Sequence, residues 1–137
     1  MFFVPIVIKW LDDLETIFCY EVLSPWTTDD VIDALGSTRD FLKGRVPVAI
    51  IFDVREAGMI PKSFLSVTSA LRQHRNSIIH IRVLVGPNRI IRLIYNLMNR
   101  AFPDLLEGVA VKDTLDEAYD YIVEQSSVEI GKLTADD

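Results

Sequence analysis

The chain is poor in the groups that most often announce chemistry. Among its 137 residues are one cysteine, Cys19, and two histidines, His74 and His80. A single cysteine cannot close an internal disulfide, so the cytoplasm is the expected compartment. Its strand position, with no patterned histidine partner, argues against a nucleophile. His74 stands between Arg72 and Arg75, and no cysteine or carboxylate cluster joins either histidine at ligand spacing, so no metal is expected. Glycine-rich phosphate loops, metalloprotease helices and nucleophile elbows are all missing. No apolar run reaches the ~18–20 residues of a membrane span. The opening from Met1 to Ile8 is apolar but lacks a basic start and a small-residue cleavage site, which predicts a β-strand rather than a signal peptide. These absences point away from an enzyme, a cofactor and a membrane span.

What is present is an ordinary globular composition, half hydrophobic and a quarter charged, with a length that fits one domain. The net charge of −6 is unevenly distributed. From Arg55 to Phe102 the basic residues are Arg55, Lys62, Arg72, Arg75, Arg82, Arg89, Arg92 and Arg100, against one acid, Glu56. That segment carries +7 and the remainder −13. The asymmetry reads either as solvated helix faces or as a surface for an anionic partner or a neighbouring copy's acidic face. An acidic chain overall does not suit nucleic acid.

The centre of the pattern is Val46–Asp53, VPVAIIFD, a β-branched apolar run that predicts a strand buried on both faces. It leads through Gly58 to Pro61, well placed as a first helical residue. Before it, Ile6–Trp10 and Thr16–Val22 flank Asp12-Asp13 as an antiparallel hairpin. Thr27 is an N-cap with Asp29 and Asp30 in the first turn, and Trp26 is placed to staple onto Val31. Val31, Leu35, Thr38 and Leu42 then line a helix containing Gly36. A second helix opens at Pro61 with Phe64, Val67, Thr68 and Leu71 inward, and Ile78–Val85 is the fourth strand. A third helix spans about Asn88–Ala101, apolar round more than half its circumference, and Val109–Val111 is the last strand. Thr114 and Glu117 form a capping box for a final helix lined by Leu115, Ala118, Tyr119, Ile122 and Val123. The order β-β-α-β-α-β-α-β-α predicts an α/β domain over residues 1–125, a single mixed five-stranded sheet covered by four helices. Residues 126–137 read as a flexible polar tail.

Several stretches resemble a STAS-type domain, the fold of anti-sigma-factor antagonists and sulfate-transporter cytoplasmic domains. They are Trp10-Leu11-Asp12, Pro25-Trp26-Thr27, Ile51-Phe52-Asp53-Val54-Arg55 with Ile60-Pro61, Val85-Gly86, and Asp113 to Ala118. The flavour is that of bacterial members near the sporulation-type and CRAL-TRIO-like groups, and the likeness runs from Ile6 to about Glu124. It implies a non-enzymatic regulatory or protein-interaction domain, and through the CRAL-TRIO likeness an apolar, lipid-like ligand under helix 88–101 as the alternative. In regulatory members a phosphorylatable Ser or Thr follows the central strand in an Asp-Ser-Ser-Gly-like motif. Here that junction has Asp53 and lacks the serine pair, so the resemblance places the partner or phosphorylation surface on Asp53, Gly58, Pro61, Lys62 and Ser63. A phosphate on Ser63 would meet Lys62 and the positive end of a helix dipole. Arg89, Leu93 and Tyr95 are the expected interface for a homodimer or protein partner. A phosphoacceptor receiver is the rival, with Asp53 as acceptor, Asp12-Asp13 as the Mg²⁺ pair and Lys112 as the lysine. It fails because Asp12-Asp13 leads into a second strand and not into a helix.

Overall fold

The structure, a computed structural model, describes residues 5–61, 68, 69, 72 and 81–135. Five strands, β1 (Ile6–Trp10), β2 (Ile17–Leu23), β3 (Ala49–Glu56), β4 (Ile81–Val85) and β5 (Val109–Lys112), form one sheet in sequential order. β1 and β2 are antiparallel, and every later neighbour is parallel. Three helices are described: α1 (Thr28–Leu42), α2 (Arg89–Ala101) and α3 (Leu115–Ala135). The expected second helix, with Phe64, Val67 and Leu71, lies largely outside the described residues. Among the described residues no helix is long and apolar enough to cross a membrane.

The mixed sheet and the hairpin follow the sequence pattern. Asp12 holds the turn by accepting hydrogen bonds from the main-chain N–H groups of Thr16 and Ile17, both at 2.9 Å, and from the Thr16 hydroxyl. β3 is the middle strand, as expected, but its start is displaced from Val46 to Ala49. Pro47 has no N–H to give a ladder, and the N–H groups of Val48 and Ala49 both turn to the Thr16 carbonyl. Val46 and Val48 stay exposed. At the other end the strand runs past Asp53 to Glu56, with a bulge against β2 where Glu21 faces Asp53 but Leu23 faces Glu56.

Alternation along the strands gives each face its own core. Cys19, Ala49, Ile51, Ile81, Val83 and Val85 pack beneath Ala118 and Ile122 of α3. Phe18, Tyr20 and Ile50 pack beneath Ala34 and Leu42 of α1. On this second face Trp10 stacks on Phe41 and Tyr20 on Phe52, with ring centroids 5.3 and 5.5 Å apart. Phe18, Ile51, Val83 and Val85 are almost fully buried, and burial of such a side chain contributes about 1.5–3 kcal/mol.

The helix ends also follow sequence, with two differences. Thr27 accepts from the Asp30 N–H, and the Asp30 carboxylate accepts from the Thr27 N–H, a capping box closed by aspartate. At α3 the Thr114 hydroxyl accepts from Glu117 N–H as expected, but the Glu117 carboxylate reaches back to the N–H of Asp113 rather than Thr114. The final helix is expected to end near Gln125, yet the α3 backbone is helical through Ala135.

Candidate functional site

The C-terminal ends of β2, β3 and β4 meet at one edge of the sheet, where parallel α/β sheets commonly place their sites. Register sets Asp53 between Glu21 of β2 and Val85 of β4. It lies on the α3 face, in the alternation of Ala49 and Ile51. Asp53 is 4% exposed, one of few buried charged groups among the described residues. Arg55, two residues on and on the same face, satisfies it. The guanidinium donates through Nε at 2.9 Å and Nη2 at 2.8 Å, and the Arg55 main-chain N–H adds a bond at 3.2 Å. Burial would raise the carboxyl, but the hydrogen bonds and charge of Arg55 outweigh it and hold Asp53 below the usual carboxylate range. Beside it, Lys9 of β1 pairs with Glu21 at 2.5 Å, and that bond raises the Lys9 ammonium.

Room for the Arg55 stem comes from Gly86. It has φ +67°, and a Cβ there would run into Cγ of Arg55. Its own N–H donates to the Lys112 carbonyl at 2.8 Å, tying the loop after β4 to the end of β5.

Past Glu56 the chain leaves the sheet and its carbonyls need new partners. Three consecutive ones find them. The Ser24 N–H donates to Glu56 at 2.9 Å, the Trp26 indole Nε1–H to Ala57 at 2.7 Å, and Asn88 Nδ2 to Gly58 at 3.0 Å. Asn88 meanwhile caps α2, its Oδ1 accepting from Ile91 N–H at 2.9 Å. Gly58 adopts φ +64°, and a Cβ there would come within 2.8 Å of Ser24 Oγ. Ala57 is fully buried, Ile60 and Pro61 are half-buried, and Met59 is left 82% exposed at the tip. The junction is a clamped loop presenting one large apolar side chain.

Of the residues expected at the site, Asp53 lies on β3, three residues before the loop begins, and Gly58 and Pro61 lie on the loop. Lys62 and Ser63 lie outside the described residues. Arg89 and Leu93 are exposed on α2, whereas Tyr95 is half-buried, its hydroxyl donating to the Val109 carbonyl at 3.0 Å. Trp26, expected as a staple, sends its indole N–H to the Ala57 carbonyl of the loop. Ser24, Gly86 and Asn88 carry no site role in the sequence reading, although a glycine and an asparagine bracketing Pro87 do signal a turn and a cap.

Cys19 is completely buried, and burial together with the Asp53 charge pushes its thiol up to about 12. Asp12 is engaged in its turn, so the receiver-like acidic pair has no counterpart. Among the described residues no group of His, Cys, Asp or Glu could hold a metal ion. A shallow concavity of about 200 Å³ lies between β1 and α1, lined by Ile6, Ile8, Ala34 and the carboxylates of Asp30 and Asp33. It is smaller than the ~300–1,000 Å³ of usual ligand pockets, and it is not under α2.

No protein-family model matches the chain, and no curated protein matches it. A solved structure does: the crystal structure, at 1.59 Å resolution, of a candidate anti-sigma factor antagonist from Thermotoga maritima. The two chains are 18% identical, the match covers 85% of this chain and 93% of that one, and the TM-score is 0.60. The fold is STAS-like. In this STAS-like frame the clamped loop is the connection that follows the central strand, at the junction where the sequence resemblance places the partner surface.

Proposed function

We propose that the chain is a non-enzymatic regulatory domain of the anti-sigma-factor-antagonist kind, acting by protein–protein contact through the Glu56–Pro61 loop. The observation that carries this reading is the capture of three successive loop carbonyls by Ser24, Trp26 and Asn88, with Met59 held outward. A loop ordered before binding loses little further entropy on association, and an exposed apolar tip gives a partner something to bury. The fully engaged Asp53 carboxylate supports a structural role for that acid, anchoring the strand end from which the loop departs.

A photo-crosslinking residue at position 59 tests this, with one at Val123, also exposed, as the control. The expected result is a defined protein adduct from position 59 and none from position 123. That protein should bind the purified chain in isolation, and Met59→Asp should weaken binding at least tenfold with an unchanged melting temperature. No adduct at 59, or equal labelling at both positions, would overturn the proposal.

A further inference from the structure

We infer that α2 docks, in antiparallel register, on α1 of a second copy of the chain. The outer face of α2 is apolar at its centre and basic at its ends. Leu93 and Leu97 are 58% and 53% exposed. Arg89 and Arg100, both exposed, stand eleven positions apart on either side. The outer face of α1 has the opposite charge at the same spacing. Asp29 and Asp40 are exposed and also eleven positions apart, about 16 Å along a helix axis. Between them lie Ile32, 37% exposed, Asp33, and Gly36, where a Cβ would meet nothing within 4 Å.

Laid antiparallel, the two faces match position by position. Arg89 meets Asp40 and Arg100 meets Asp29. Leu93 comes down on the bare backbone of Gly36, Leu97 lies on Ile32, and the Asn96 amide faces the Asp33 carboxylate. A parallel register would set Leu93 on Asp33 and Leu97 on Ser37, covering a carboxylate with nothing to pair it. Two α2 helices packed antiparallel on each other would oppose Arg89 and Arg100, which like-charge repulsion disfavours. The contact is therefore between unlike faces. Formed reciprocally between two copies the contact closes a two-fold pair, and formed with different neighbours it gives rings or short chains. The charges set register and encounter rate, while Leu93 and Leu97 hold the complex together.

The decisive experiment is a charge swap read by light scattering over a concentration series at low and physiological salt. The full wild-type chain is expected to rise in mass to a dimer or higher, and less so as salt screens the paired charges. Arg89→Glu with Arg100→Glu, and separately Asp29→Lys with Asp40→Lys, should each weaken association by about tenfold or more. Mixing the two variants should restore it, because each then supplies the face the other needs. A wild-type chain that stays monomeric, swaps without effect, or a mixture that fails to associate would each overturn the inference. Leu93→Asp with Leu97→Asp provides the check on folding. It should abolish association without lowering the melting temperature. A marked loss of stability would show that the stripe is covered within the same chain, and would also overturn the inference. None of these variants touches Met59, so the outcome is separable from that of the loop proposal.

Discussion

Removing Arg55 should harm the fold more than removing the carboxylate it binds. The Asp53 side chain is 5% exposed and that of Arg55 44% exposed. Asp53→Ala frees a guanidinium that is already near water, so its cost is that of a half-solvated ion pair, about 1 kcal/mol. Arg55→Ala strands a buried carboxylate that keeps only one main-chain N–H, and breaking a buried pair in this way costs about 3–5 kcal/mol. Protonation limits that cost. Neutralising a carboxyl of ordinary value 3.8 at pH 7 takes about 4 kcal/mol at ~1.4 kcal/mol per pH unit, so the loss should fall at about 3–4 kcal/mol. In the wild type the folded carboxyl lies below its unfolded value. Its stabilisation is therefore complete above about pH 4 and is lost as pH falls through the lower folded value. In Arg55→Ala the folded value is raised instead, so that variant's deficit shrinks between pH 7 and pH 4. Urea unfolding followed by Trp10 and Trp26 fluorescence reads both effects. The double variant should resemble Asp53→Ala alone, a coupling of about 3–4 kcal/mol. An Arg55→Ala cost at or below that of Asp53→Ala, or a pH-independent difference, would refute the reasoning.

Other consequences follow from the same geometry. Gly86→Ala forces a side chain into φ +67° and against the Arg55 stem, so it should cost more than about 2 kcal/mol in the same assay. Trp26→Phe keeps the ring but leaves the Ala57 carbonyl without its donor, an expected loss of about 1–2 kcal/mol. Asn88→Ala removes a helix cap and a loop bond together. It should cost about 1–2 kcal/mol and speed amide hydrogen exchange at Ile91. Cys19, with its thiol pushed up to about 12, should resist a disulfide reagent at pH 8 in the folded chain and react promptly in urea.

Much of this architecture was legible because it depends on short-range patterns. Alternation in Ile81–Val85, the Asp12 turn and the Thr27 cap are each written within a few residues, and all three stand as read. The boundaries that moved did so through distant partners. β3 begins at Ala49 because the Val48 and Ala49 amides turn to Thr16, over thirty positions earlier; Pro47 is a local sign of a late start but not of that partner. Asp53 and Gly58 were legible as a strand end and a turn. What surrounds them was not, because Trp26 and Asn88 reach the loop from 31 and 30 positions away. A tryptophan before a helix reads as a staple, and nothing local names the carbonyl that takes its N–H. Tyr95 looked like surplus surface for a similar reason, since its partner is a carbonyl on the neighbouring strand.

The central claim is that the loop after β3 is held in place by its own chain before any partner arrives. Backbone ¹⁵N relaxation of the isolated protein measures this directly at Ala57, Gly58 and Met59. Order parameters near ~0.85, matching β3, are the expected result, falling when Trp26→Phe and Asn88→Ala are combined. Values under ~0.6 in the wild type, with β3 itself rigid, would contradict it.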